Sequence, residues 1–209
     1  MAKKKTLTKK QILQLAVTAM FAAIIVVMAF TPLGYLRTAG LEITFIMIPV
    51  VVGAIVAGPA AGAILGGVFG ITSFIQCFGA SPFGATLLSI DPLRAFIVCM
   101  IRILAGWLIG VIFKAIATKS GKRTYIGILV ASLVGPLLNT VFFMGSLVLL
   151  FGKTEFIQGL MTQLGATNIL HFVVLFVGLQ GLIEAIVCFV IGSAVSAAVL
   201  KATNSRTRG

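Results

Sequence analysis

Acidic residues are scarce in this chain. Glu42, Asp91, Glu155 and Glu184 are the only four among 209, and His171 is the only histidine. So thin a supply argues against a membrane protease or a metalloenzyme, and no HExxH sequence is present. Few apolar segments carry paired acids and no inverted repeat is evident, which disfavours a proton-coupled carrier. No GxxxxGKS/T loop occurs, so the chain does not hydrolyse ATP through a P-loop of its own. It is read as a non-enzyme, and no cofactor is expected. Cys77, Cys99 and Cys188 lie in apolar runs without a CxxC pair, which points to packing and not to a disulfide or metal site. Flat-ring stacking groups are few: Trp107 is the single tryptophan, and Tyr35 and Tyr125 are the only tyrosines.

What is abundant is apolar. Hydrophobic residues make up 60% of the chain and charged ones only 10%, with a mean hydropathy of +1.20. A soluble domain of this size needs far more polar surface, so the excess must face lipid. At roughly 20 residues per crossing, the length allows about six spans in one domain, taken as residues 1–209. We place them near 11–31, 43–57, 60–78, 92–114, 124–150 and 169–200. Gly58-Pro59 divides the second from the third. The apolar run after the N-terminal lysines is too long for a signal core, and no A-x-A site followed by a soluble domain appears.

The formal charge of +12 comes from an uneven distribution of Lys and Arg. Lys3, Lys4, Lys5, Lys9 and Lys10 precede the first span. Lys114, Lys119, Lys122 and Arg123 flank the fourth-to-fifth connection, and Lys201, Arg206 and Arg208 follow the last span. An even number of spans puts these twelve of the sixteen basic residues on one side, the cytoplasmic one. The expected fold is an all-α membrane protein with six transmembrane helices and both termini cytoplasmic. The basicity then reflects topology and lipid attraction, not nucleic acid. The opposite connections, 32–42, 79–91 and 151–168, are long and rich in Gly, Ser and Thr, so the functional face is expected outside.

An ionisable residue within a membrane marks a site by default. Arg94 and Arg102 fall in span four and Glu184 in span six. At 1.5 Å per residue, Arg102 lies about 18 Å from the inner end of its span, Asn139 about 21 Å and Glu184 about 24 Å. These groups, with Tyr35 outside and Gln76, Asn168 and His171 near the rim, are the candidate substrate contacts. Arg102 and Glu184 could instead form a structural pair. Arg94, one turn into a helix opened by Asp91-Pro92, is best placed to meet a ligand; Asp91 would be its N-cap and Pro92 its first residue. Ala19 and Ala23 in span one, and Gly62, Gly66 and Gly70 in span three, have the four-residue spacing that lets helices approach closely.

Six spans, cytoplasmic ends and the span-one alanines resemble the substrate-binding S components of energy-coupling factor (ECF) transporters. The more specific likeness is ITFIMIPVVVGAIVAGPAAGAILGGVFGITSF at 43–74 with GASPFG at 79–84. The resemblance implies a multi-pass protein of the bacterial cell membrane. It implies capture of a vitamin on the outer side beneath a lid, here 32–42. It also implies docking through span one, here Ala19 and Ala23, onto a T subunit carrying two ATP-binding subunits. The pattern is most like the pantothenate-specific members, and an arginine meeting a carboxylate suits that vitamin better than ring stacking does. Pyridoxine and folate members share much of the pattern, and a self-sufficient carrier is the alternative from another class.

Overall fold

A computed structural model describes residues 8–38, 41–117 and 121–206. Lys3, Lys4, Lys5, Lys119 and Arg208 of the basic set lie outside them. The order is α1 (Lys9–Ala29), β1 (Tyr35–Thr38), β2 (Leu41–Thr44), α2 (Met47–Ala57), α3 (Pro59–Gln76), α4 (Pro82–Ile90), α5 (Pro92–Met100), α6 (Arg102–Ile116), α7 (Lys122–Phe151), α8 (Glu155–Gln163), α9 (Ile169–Val187), a π-helical turn (Cys188–Gly192) and α10 (Ser193–Arg206).

The chain is an all-α membrane protein. Five helical stretches are long and apolar enough to cross a bilayer: Gln11–Ala29, Pro59–Gln76, Pro92–Ile116, Lys122–Phe151 and Ile169–Thr203. The second expected span is the exception. At 11 residues, α2 rises only about 16 Å, short of the ~30 Å hydrocarbon core. It is instead the central helix, with Val50, Val51, Val52, Ala54 and Ile55 buried among α1, α3, α6 and α7.

Local chemistry sets the breaks. Gly58 takes φ 96°, a left-handed value that favours glycine, and Pro59 starts α3, so two helices form where one apolar run is written. Asp91 Oδ1 accepts the Leu93 and Arg94 amides at 3.0 and 3.1 Å and so caps α5, with Pro92 first in the helix as expected.

Helices α3 and α6 cross at glycines. A Cβ on Gly66 would collide with the Arg102 carbonyl, and one on Gly62 with the Gly106 carbonyl. Gly62, Gly66 and Gly70 thus serve packing inside the chain, and they bring the start of α6 hard against α3.

Two expectations about the connections need correction. Residues 32–42 are not simply a loop: YLRT and LEIT pair antiparallel, with Tyr35 opposite Thr44. The segments 79–91 and 151–168 contain α4 and α8. Ser81 and Thr154 cap these helices by accepting the Gly84 and Ile157 amides.

Candidate functional site

The hairpin, α4 and α8 share one end of the bundle, where α1, α3 and α7 finish and α5 and α9 begin. Beneath them lie two adjoining cavities. The larger, with about 110 Å³ open to the centres of water molecules, is lined by Tyr35, Thr44, Phe83, Arg102, Asn139, Thr140, Phe143, Met144, Phe176, Val177, Gln180, Gly181 and Glu184. The smaller, about 70 Å³ by the same measure, is bordered by Ser73, Gln76, Cys77, Ser81 and Cys99 among others. Tyr35, Phe83, Arg102 and Phe143 line both and form the boundary between them.

Arg102 is the dominant electrostatic feature. It is 9% exposed, and its Nε and Nη1 make no hydrogen bond. Two phenyl rings hold the guanidinium instead: Phe69 of α3 at 4.5 Å and Phe143 of α7 at 4.6 Å to the ring centroids. These cation–π contacts orient the charge without using its donors. Among the described residues the one ion pair is Arg94 with Asp91, so Arg102 and Glu184 share a cavity without forming a bridge.

Glu184 turns to the hairpin. Its Oε1 accepts the Thr44 amide at 2.7 Å and the Gln180 side-chain amide at 3.3 Å. Tyr35 at the other strand lies 3.3 Å, hydroxyl to hydroxyl, from Ser73. Both strands of the hairpin are therefore tied to residues that line the cavities. Asn139 is 5% exposed, and its Oδ1 has no hydrogen-bond partner. Two buried guanidinium N–H groups and a buried carbonyl without hydrogen-bond partners are costly in a low-dielectric interior unless a ligand completes them.

The structure thus gathers Tyr35, Arg102, Asn139 and Glu184 around one cavity, with Gln76 on its neighbour. Gln76 also donates to the Ala29 carbonyl at 2.6 Å, tying α3 to the end of α1.

Arg94, the first choice from the sequence for meeting a ligand, is not brought to these cavities. Its side chain is half exposed, with Nε 3.0 Å from Asp91 Oδ2 and Nη1 donating to the Leu150 carbonyl at 3.0 Å, and it lines neither cavity. The cap residue three positions earlier captures it. Asn168 and His171 also lie elsewhere, exposed at the start of α9. Asn168 Oδ1 caps that helix by accepting the His171 amide at 2.8 Å, and the His171 ring Nδ1 accepts from the Thr167 amide at 3.3 Å.

Sequence reasoning missed Phe143 and Phe176, which look like any lipid-facing phenylalanine in an apolar run, and Phe83, which stands in the GASPFG connection. It also missed Gln180, one turn before Glu184, whose polar side chain in the run LFVGLQGLIEA was a usable signal. Ala19 and Ala23 lie exposed along α1, outside the core.

No curated protein matches the chain. A family profile described as ECF transporter, substrate-specific component, matches residues 13–196. That match spans most of the sequence and covers every element that lines the two cavities, and on it the chain belongs to the substrate-specific components of ECF transporters.

Proposed function

We propose that this protein captures a water-soluble vitamin bearing a carboxylate, with pantothenate the best fit, on the outer face of a bacterial cell membrane. It then hands the vitamin inward with a T subunit and two ATP-binding subunits. The observation that carries the substrate class is Arg102: a buried, ring-held guanidinium whose Nε and Nη1 are free to donate and which, among the described residues, has no acid within ion-pair distance. A carboxylate can satisfy it with two parallel hydrogen bonds.

The rest of the larger cavity suits the remainder of pantothenate. The unsatisfied Asn139 Oδ1 calls for an N–H or O–H donor, and an amide or hydroxyl supplies one. Glu184 can accept hydroxyl protons. Phe83, Phe143, Met144 and Phe176 supply an apolar wall for a dimethyl carbon. The three phenylalanines also favour one second reading, a flat-ring vitamin such as pyridoxine, which lacks the carboxylate.

In this reading the membrane is crossed six times with both ends cytoplasmic, α2 being the short, buried member. The hairpin is the lid, and exposed Ala19 and Ala23 form the face that meets the T subunit. Titration of the purified chain with pantothenate, its alcohol analogue pantothenol and pyridoxine tests the substrate. Pantothenate is expected to bind tightest. Tightest binding by pyridoxine, or by a neutral analogue, would move the assignment away from an anion.

A further inference from the structure

The two cavities differ in the sign of their polar groups. Glu184 lines the larger, whereas among the described residues no carboxylate lines the smaller. The smaller offers hydroxyls from Tyr35, Ser73 and Ser81, and the Arg102 side chain borders it. It also meets the start of α4, a nine-residue helix whose first-turn amides point outward from its N-terminus. Pro82 has no N–H, and the Gly84 amide goes to Ser81 Oγ at 3.2 Å. The Phe83 amide is the first-turn donor left over among the described residues. A helix N-terminus and a buried guanidinium whose Nε and Nη1 have no hydrogen-bond partner, at one small chamber, are two independent attractions for an anion.

We propose that the smaller chamber is the carboxylate subsite. The substrate's anionic head passes the Phe83–Phe143 boundary and lies between Arg102 and the N-terminus of α4. Its neutral body stays in the larger cavity against Asn139, Gln180 and Glu184. This orientation rests on reading the substrate as a carboxylate-bearing vitamin. It is also the one that keeps two like charges apart, since a head group in the larger cavity would face Glu184. The space is adequate: one water needs about 10–15 Å³ of such volume, so about 70 Å³ takes a carboxylate and its adjoining methylene groups.

The decisive variants are at Ser81. Asp and Asn both cap helices as well as Ser does, so Ser81→Asp places a negative charge in the chamber while keeping α4, and Ser81→Asn is its neutral control. Ser73→Asp is an independent second charge, carried by α3. The probe for the subsite is propionate, a bare head group, read as thermal stabilisation of the detergent-purified chain, with propanol as the neutral match. Propionate is expected to stabilise wild type and Ser81→Asn but not Ser81→Asp or Ser73→Asp, and propanol none of them. No stabilisation of wild type, or equal stabilisation of wild type and both Asp variants, overturns the subsite.

Pantothenate is titrated separately. Its affinity should fall at least ~100-fold in Ser81→Asp, since a like-charge juxtaposition costs that much or more, while pantothenol affinity stays within about 5-fold. Propionate binding without pantothenate binding leaves the subsite standing and removes pantothenate. Pantothenate binding that neither Asp variant weakens keeps the vitamin and removes the subsite.

Discussion

Replacing Arg102 with Met separates a binding charge from a structural one. The guanidinium is buried and, among the described residues, has no acid within ion-pair distance. Burying an ion costs several kcal/mol, and a well-packed apolar replacement is often neutral or stabilising. Against that stand two cation–π contacts, at Phe69 and Phe143, each worth roughly 0.5–2 kcal/mol. The thermal midpoint of the unliganded Arg102→Met protein should therefore be unchanged or higher. Binding should behave oppositely. Loss of one partner of a buried, hydrogen-bonded charge pair costs roughly 2–5 kcal/mol, or about 30-fold to several thousand-fold in affinity. Arg102→Lys should recover only part, because an ammonium neither forks to a carboxylate nor stacks flat between two rings. Isothermal titration with pantothenate and a thermal melt without it give the two readings. A large drop in the melting temperature of the unliganded variant, with normal binding once folded, would make Arg102 structural and refute the reasoning.

Other expectations follow from the same geometry. Glu184→Ala should speed hydrogen exchange at the Thr44 amide and loosen 35–44 while leaving exchange in α3 unchanged; protection of Thr44 as in wild type would show that its bond to Glu184 does not hold the hairpin. Gly66→Val places a side chain against the Arg102 carbonyl and should destabilise by roughly 1–3 kcal/mol or more, the usual cost of overpacking, and weaken substrate binding with it. A wild-type melt for that variant would mean that the α3–α6 crossing yields freely. Ala19→Trp or Ala23→Trp should abolish ATP-dependent uptake and spare substrate binding, because a bulky ring on exposed α1 holds a partner helix away; normal uptake would return these alanines to lipid. With both ends cytoplasmic, a cysteine at Gln158 should react with an impermeant thiol reagent in intact cells and one at Lys122 should not. Labelling at Lys122 would break the six-span topology.

The sequence made the helix boundaries legible where proline and glycine write them. Gly58-Pro59 and Asp91-Pro92 sit where α2, α3, α4 and α5 end or start. The hairpin, α4 and α8 were not legible, because they are short pieces inside segments whose Gly, Ser and Thr content reads as loop. That Arg102, Asn139 and Glu184 line one cavity was legible from depth alone, since polar groups at one level of a bundle have few places to point. Depth does not say which of Arg94 and Arg102 faces the cavities. On an unbroken helix the two would lie about 80° apart around the axis, eight residues at 3.6 per turn. Ile101, between α5 and α6, keeps helical dihedrals, so the two side chains face different ways, and the Asp91 cap draws Arg94 to itself. The ring sandwich around Arg102 was invisible because Phe69 and Phe143 come from helices far apart in the chain, and only the glycine crossing of α3 and α6 brings the first of them to the arginine.

The most direct measurement is native mass spectrometry of the freshly purified chain, with chemical identification of the small molecule it releases on unfolding. The predicted result is a single adduct with the mass of pantothenate, absent from Arg102→Met prepared in parallel. Release of a vitamin without a carboxylate, or equal retention of the adduct by Arg102→Met, would contradict an anion held at Arg102.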